Sequence, residues 1–125
     1  MVKKTMTYAD IKNFLQSISD PVQKLEFVMD LGRSLAVVPA NASCNEIVGC
    51  ASHVEICRDG NRFYGRADSA LVRGIVAILI AMVDEKTPQE IKEIDILSEF
   101  SSLDINLGAG RLNGLESMVR FFHNL

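Results

Sequence analysis

The spacing of apolar positions changes several times along the chain, and each change marks an element. Ile11, Phe14, Leu15 and Ile18 recur at intervals of three and four, which puts them on one face of a helix, so the first helix carries one buried stripe. Thr7-Tyr8-Ala9-Asp10 opens it as a capping box, with an acidic residue three positions beyond the cap. A second helix starts at Asp20-Pro21-Val22-Gln23, with Asp as cap and Pro at the first helical position, where its missing N–H leaves no bond unmade. Leu25, Val28, Met29 and Leu31 supply its buried side, and Gly32 is expected to terminate it in the left-handed conformation. From Arg33 to Cys50 the periodicity is lost. Pro39-Ala40-Asn41-Ala42-Ser43 reads as loop, with Leu35 to Val38 as a candidate edge strand that Pro39 ends. Irregular connections of this length inside a compact domain are commonly functional.

Alternation follows. Val54-Glu55-Ile56-Cys57-Arg58 and Arg62-Phe63-Tyr64-Gly65-Arg66 flank Asp59-Gly60-Asn61, and an Asp-Gly pair between alternating runs favours a primed hairpin turn because it accepts positive φ. Val54 and Ile56 face the core in this reading, while His53, Glu55 and Cys57 face away. Beyond Asp68-Ser69, either of which can cap, a helix from about Ala70 to Asp84 is apolar almost all round, so it must be covered on several sides and forms the centre of the fold. Thr87-Pro88-Gln89-Glu90 is a second capping box opening a short helix through Ile91 and Ile94, and a further helical turn falls at Leu97 to Phe100. Leu107 to Gly110 reads as loop, and Leu112, Leu115, Met118, Val119 and Phe122 define the last helix. Two helices, a hairpin and several more helices make an α+β fold, a small antiparallel sheet packed against helices. Residues 1–125 are expected to form one domain.

Composition narrows the chemistry. With 125 residues, 48% of them hydrophobic and 23% charged, the chain has the make-up of a globular protein. A net charge of −3 without any basic run argues against a nucleic-acid partner. The longest apolar run, Ile75 to Val83, is too short to span a bilayer, so no membrane association is expected. Met1 to Thr7 has two lysines with no apolar core behind them, unlike a secretory signal, which points to the cytoplasm. Three cysteines, Cys44, Cys50 and Cys57, are an odd number that fits reduced thiols better than a disulfide framework. Their spacings do not match the paired CxxC hooks of common zinc modules, and no metal or cofactor is expected, although a mixed site of Cys44, Cys50 and His53 is one alternative. Gly108-Ala109-Gly110-Arg111 follows no strand and is not a dinucleotide fingerprint. His123, near the end of the last helix, reads as a surface residue or a partner of the C-terminal dipole.

The passage Asn45-Glu46-Ile47-Val48-Gly49-Cys50-Ala51-Ser52-His53-Val54 carries the candidate reactive atom. Gly49 permits backbone angles that a side chain forbids, a suitable residue to precede a thiol held on a loop. Asn45-x-Ile47-x-Gly49-Cys50-x-Ser52-x-Val54 is followed in order by Asp68-x-Ala70-x-Val72-Arg73-Gly74 and by Arg111-x-Asn113-Gly114-Leu115. These three blocks, together with Leu31-Gly32 and Thr87-Pro88-Gln89-Glu90-Ile91, resemble the SufE family of cysteine-desulfurase sulfur acceptors over nearly the whole chain.

The resemblance implies that a sulfane sulfur passes from the persulfide of a pyridoxal-phosphate-dependent cysteine desulfurase to Cys50, and onward to an iron-sulfur cluster scaffold complex. It matches Asp68 and Arg111 to positions beside the active loop, and Asn45 and Ser52 to positions that shape it. Gly49-Cys50-Ala51-Ser52-His53-Val54-Glu55 departs from the family's Gly-Cys-Gln-Ser-Gln-Val-Trp, and the chain contains no tryptophan. The acceptor thiol is kept while positions around it change, which bears on which desulfurase is recognised. Residue chemistry adds candidate roles: a guanidinium at Arg111 favours a nearby thiolate, Asp68 can cap the central helix, and His53, three positions past the thiol, can exchange a proton with it. Two competing readings are a scaffold binding a metal or cluster through Cys44, Cys50, Cys57 and His53, and a docking module that regulates a desulfurase without using its thiol.

Overall fold

The computed structural model describes residues 6–50 and 53–125, with the side chains of residues 109–111 excepted. In chain order the elements are α1 (Tyr8–Ser17), α2 (Pro21–Gly32), β1 (Ser43–Glu46), β2 (Val54–Asp59), β3 (Arg62–Ala67), α3 (Ala70–Val83), α4 (Pro88–Lys92), α5 (Ile96–Ser101) and α6 (Ala109–His123). The architecture is α+β, with a three-stranded antiparallel sheet of order β1-β2-β3.

At the centre lies α3, buried along nearly its whole length from Val72 to Val83. Its neighbours are α2, β3, α1 and α5, the cover that an all-apolar helix requires. Val54 and Ile56 of β2, with Phe63 and Ala67 of β3, present the buried face of the sheet. Two glycines set how closely α3 is approached. A Cβ on Gly65 of β3 would collide with Val76, and one on Gly74 of α3 would collide with the Val28 carbonyl of α2. Ser69, rather than Asp68, caps the helix by accepting from Val72 N–H.

Both capping boxes form as the sequence predicts, at Thr7/Asp10 and Thr87/Glu90. The hairpin turns through two residues, Gly60 and Asn61, with Asp59 paired to Arg62 and Gly60 at φ +62°. It is tied to the end of α3, where Asp84 Oδ1 accepts from Phe63 N–H at 2.9 Å and Asp84 Oδ2 pairs with Arg62 Nε at 3.3 Å.

Four expectations are corrected. The third strand is Ser43–Glu46, not Leu35 to Val38, and all four of its residues are exposed. Gly32 does not end α2 in the left-handed region; the helix closes on Arg33 in the right-handed region, and the space at Gly32 is taken by Arg73 Cβ at 2.7 Å. Phe14 and Leu112 sit at 49% and 48% exposure rather than in the core, Phe14 stacking on Phe27 at 4.5 Å. Cys44 and Cys57 form a disulfide, because the antiparallel register sets them directly opposite each other. Cys57 does face away from the core as expected, yet it is fully buried.

Two polar contacts secure the helices with no sequence signal. Lys24, 8% exposed, donates to the carbonyls of Leu103 at 3.0 Å and Asp104 at 3.3 Å, beyond the end of α5. His123 Nε2 donates to the Ile94 carbonyl at 2.9 Å.

The α2–α3 contact gives a test of what packs the centre. Gly74→Ala should destabilise the fold by about 3 kcal/mol, since an added methyl with nowhere to go forces the backbones apart. Chemical denaturation of the two proteins measures this, and a change below about 0.5 kcal/mol would mean that the helices separate without strain.

Candidate functional site

Cys50 ends a short passage rooted in two adjacent strands. Ile47, only 6% exposed, anchors it in the core, and Ile47 N–H donates to the Val54 carbonyl at 2.9 Å, extending the β1–β2 pairing by one step. On the far side Asp68 N–H donates to the His53 carbonyl at 3.3 Å. Between these clamps Gly49 takes φ +99°, a conformation that turns the chain and suits glycine. The turn lays the backbone on α6: a Cβ at Gly49 would meet Ser117 Oγ at 2.6 Å. Ser117 is itself held, donating to the Asn113 carbonyl and accepting from Arg120.

The thiol points at the same helix. Cys50 Sγ donates to the Gly114 carbonyl at 3.9 Å, a weak sulfur hydrogen bond. A Cβ at Gly114 would sit 3.1 Å from Sγ and 3.4 Å from Cys50 Cα, so glycine is the residue that lets the loop seat here. Cys50 is half-buried against the core, and it is the free cysteine of the chain. Burial pushes its thiol above the ordinary value of 9.0, because a thiolate is poorly solvated there. Two positions before it, Val48 is 85% exposed, an apolar side chain in solvent next to the thiol in the chain.

The other candidates divide into three groups. Gly49 is part of the loop geometry. Asn45, exposed on β1, and Asp68, exposed with its backbone clamping His53, lie at the two roots of the loop. His53 turns to the outer face of the sheet, its Nδ1 3.2 Å from Glu46 Oε2 and its Nε2 3.0 Å from Glu55 Oε1. Ser52 falls outside the described residues, as does the side chain of Arg111, which occupies the first turn of α6 three positions before Gly114. Cys44, Cys50 and His53 do not converge on one ion: Cys44 is bonded to Cys57, and both ring nitrogens of His53 face carboxylates. The residues that sequence reasoning missed are Gly114 and Ser117, the floor of the site. Only the third motif block, which contains Gly114, drew attention to this part of the chain.

His53 carries a raised pKa, above its ordinary 6.5, chiefly through its hydrogen bond to Glu55 and further through Glu46. Glu55 is lowered in turn by His53 and then by Arg66, whose Nη1 stands 3.0 Å from Glu55 Oε2. The stabilisation of this exposed pair is lost as pH rises through the raised His53 value, and also as pH falls from 4.5 through the lowered Glu55 value, so it is present between the two.

Comparisons with known proteins agree with one another. The family model described as SufE, Fe-S metabolism associated domain, matches residues 9–125. An uncharacterised SufE-like protein of Rhizobium meliloti is 34% identical over 109 residues, covering 78% of each chain. One of Rhizobium etli is 31% identical over 115 residues, covering 82% of this chain and 78% of its own. The fold is shared with the solution structure of a hypothetical protein from Thermus thermophilus, with TM-score 0.73 at 12% identity, covering 95% of this chain and 94% of the other.

Three outcomes are expected of this geometry. With the disulfide intact, Cys50 should react with iodoacetamide at pH 7 more slowly than the same cysteine in urea-unfolded protein, its rate still climbing past pH 9.0. Gly114→Ala should accelerate the folded-state reaction severalfold by displacing the loop, while helix propensity gains about 1 kcal/mol and offsets the crowding. An unchanged rate in that variant would show that α6 does not shield the thiol. For His53, the NMR titration midpoint should lie above 6.5 and fall in Glu55→Gln; a midpoint indifferent to that substitution would remove Glu55 as the cause.

Proposed function

The chain belongs to the SufE family, a family of Fe-S metabolism, and from that membership we propose that Cys50 accepts persulfide sulfur from a pyridoxal-phosphate-dependent cysteine desulfurase and delivers it to an iron-sulfur scaffold complex. The observation that carries this reading is the free thiol of Cys50, presented on a loop that rests on α6, while the other two cysteines are bonded to each other. The cytoplasm is the compartment that suits it.

The step is a thiolate displacement. Cys50 Sγ attacks the outer sulfur of the desulfurase persulfide, a new S–S bond forms, and the donor cysteine leaves as thiolate, with no net change in oxidation. Cys50 then carries the sulfur as a persulfide. In the resting loop this nucleophile is held back, because burial favours the protonated thiol. Each unit of raised pKa cuts the thiolate tenfold but makes it more nucleophilic, for a net loss of about threefold. Positioning is a far larger lever, since two well-oriented reacting groups reach effective molarities of about 10⁵ M or more.

Docking is therefore the controlling event in this mechanism. The desulfurase engages the exposed Val48 near the thiol, lifts the loop from Gly114 and brings the sulfurs together, and this coupling is how the protein stimulates its partner. Gly49 supplies the turn about which the loop moves. Asn45, Ser52 and Asp68 set the loop's roots, and Arg111 favours the anionic perthiolate. His53 belongs to the loop's outer flank rather than to proton transfer, since Glu46 and Glu55 already hold its ring.

Intact-mass measurement after incubation with a cysteine desulfurase, its pyridoxal cofactor and free cysteine tests the carrier role. The native protein should gain one or more sulfur atoms, removable by reductant, and Cys50→Ser should gain none. A native protein that active desulfurases never load, or a variant that loads equally, would overturn the proposal; full stimulation by Cys50→Ser would make the protein a docking module.

A further inference from the structure

The outer face of the sheet holds a second group of donor atoms that sulfur acceptance does not use. Alternation along the strand sends His53, Glu55 and Cys57 to this face, and the register places Cys44 opposite Cys57 and Glu46 opposite Glu55. The two sulfurs and a carboxylate oxygen of Glu55 lie within 4.8 Å of one another. His53 Nε2 stands 3.0 Å from Glu55 Oε1, and Arg66 Nη1 3.0 Å from Oε2. Two sulfurs, a carboxylate and an imidazole side by side form a donor set suited to zinc, which takes thiolate, carboxylate and imidazole in tetrahedral sites.

We propose that the dithiol form of this protein binds one Zn²⁺ through Cys44, Cys57 and Glu55, with His53 as the positioning residue for the Glu55 carboxylate. Cys44 is exposed and Cys57 buried, so the ion enters from solvent at Cys44 and is backed by the sheet. A carboxylate has lone pairs for about four partners, enough for His53, Arg66 and a metal together. Arg66 also offsets part of the negative charge that two thiolates and Glu55 bring. Three protein ligands leave the fourth position to water.

Occupancy is coupled to redox state. In the disulfide form neither sulfur has a thiolate to offer. A dithiol reductant supplies two electrons and two protons, breaks the S–S bond and is itself oxidised to a disulfide. Zn²⁺ then forms two Zn–S bonds and releases the two thiol protons to water. Zn–S bonds of about 2.3 Å in a tetrahedral site hold the sulfurs about 3.8 Å apart, a separation that side-chain rotation across directly opposed strand residues provides.

Anaerobic titration of Co²⁺ into dithiol-reduced, desalted Cys50→Ser protein tests this site independently of the carrier thiol, so the test stands whether or not Cys50 accepts sulfur. One equivalent should produce a thiolate-to-cobalt charge-transfer band that Zn²⁺ abolishes. The band should be missing from the disulfide form and from the Cys44→Ser/Cys50→Ser double variant, whose first change is on an exposed residue. His53→Ala should weaken affinity by about 10- to 100-fold, the usual effect of losing a residue that orients a ligand. A reduced protein without the band, an equal band in the disulfide form, or one that survives Cys44→Ser would overturn the proposal, as would unchanged affinity in His53→Ala.

Discussion

A helix with no polar face cannot stand at a surface, and the rest of this structure follows from covering α3. The inner face of the sheet takes one side of it and α2 another. Gly74 brings α2 to backbone contact with α3, and Gly65 lets the β3 backbone rest on the Val76 side chain of α3. Once β2 and β3 are fixed on α3, the hairpin's incoming end is fixed too, and with it the point at which the Cys50 loop must return to the sheet. α6 packs on α4 and α5 and buries Leu115, Met118 and Phe122 in the same core. The loop thus rests on a helix whose position is set by the core rather than by the loop.

That arrangement sets up a conflict inside the site. Contact with Gly114 keeps the thiol ordered and half-buried, and the same contact withholds the solvation that a thiolate needs. The proposed carrier role would gain from this conflict: a sulfur in a poorly solvated niche would be screened from stray thiols and oxidants until a partner surface replaced the α6 contact.

The sequence was most legible where local chemistry and tertiary demand agree. Thr7/Asp10, Thr87/Glu90 and Gly60 have one dominant conformation each, and the apolar run of α3 admits no reading but a central helix. It was least legible where a residue's role is set from a distance. Ser43-Cys44-Asn45-Glu46 is polar and exposed throughout, so no alternation announces a strand; pairing with β2 alone makes it one. Gly32 looked like a terminator because nothing local reveals that α3 presses against it. An odd cysteine count argued for reduced thiols, whereas the Cys44–Cys57 bond depends on a strand register that spacing does not encode. At the site, Cys50 stood out by its own loop and by family resemblance, while the Gly114 and Ser117 floor lies more than sixty residues away in the chain.

The bond between Cys44 and Cys57 has a topological consequence for the Cys50 loop. Residues 44 and 57 are thirteen apart, and Cys50 lies within the covalent ring they close. A protease that nicks the exposed side of that ring opens a circle rather than severing a thread, so both fragments and the thiol between them stay in one molecule. In the disulfide form, a cut within this ring leaves Cys50 covalently tied to both sides of the chain.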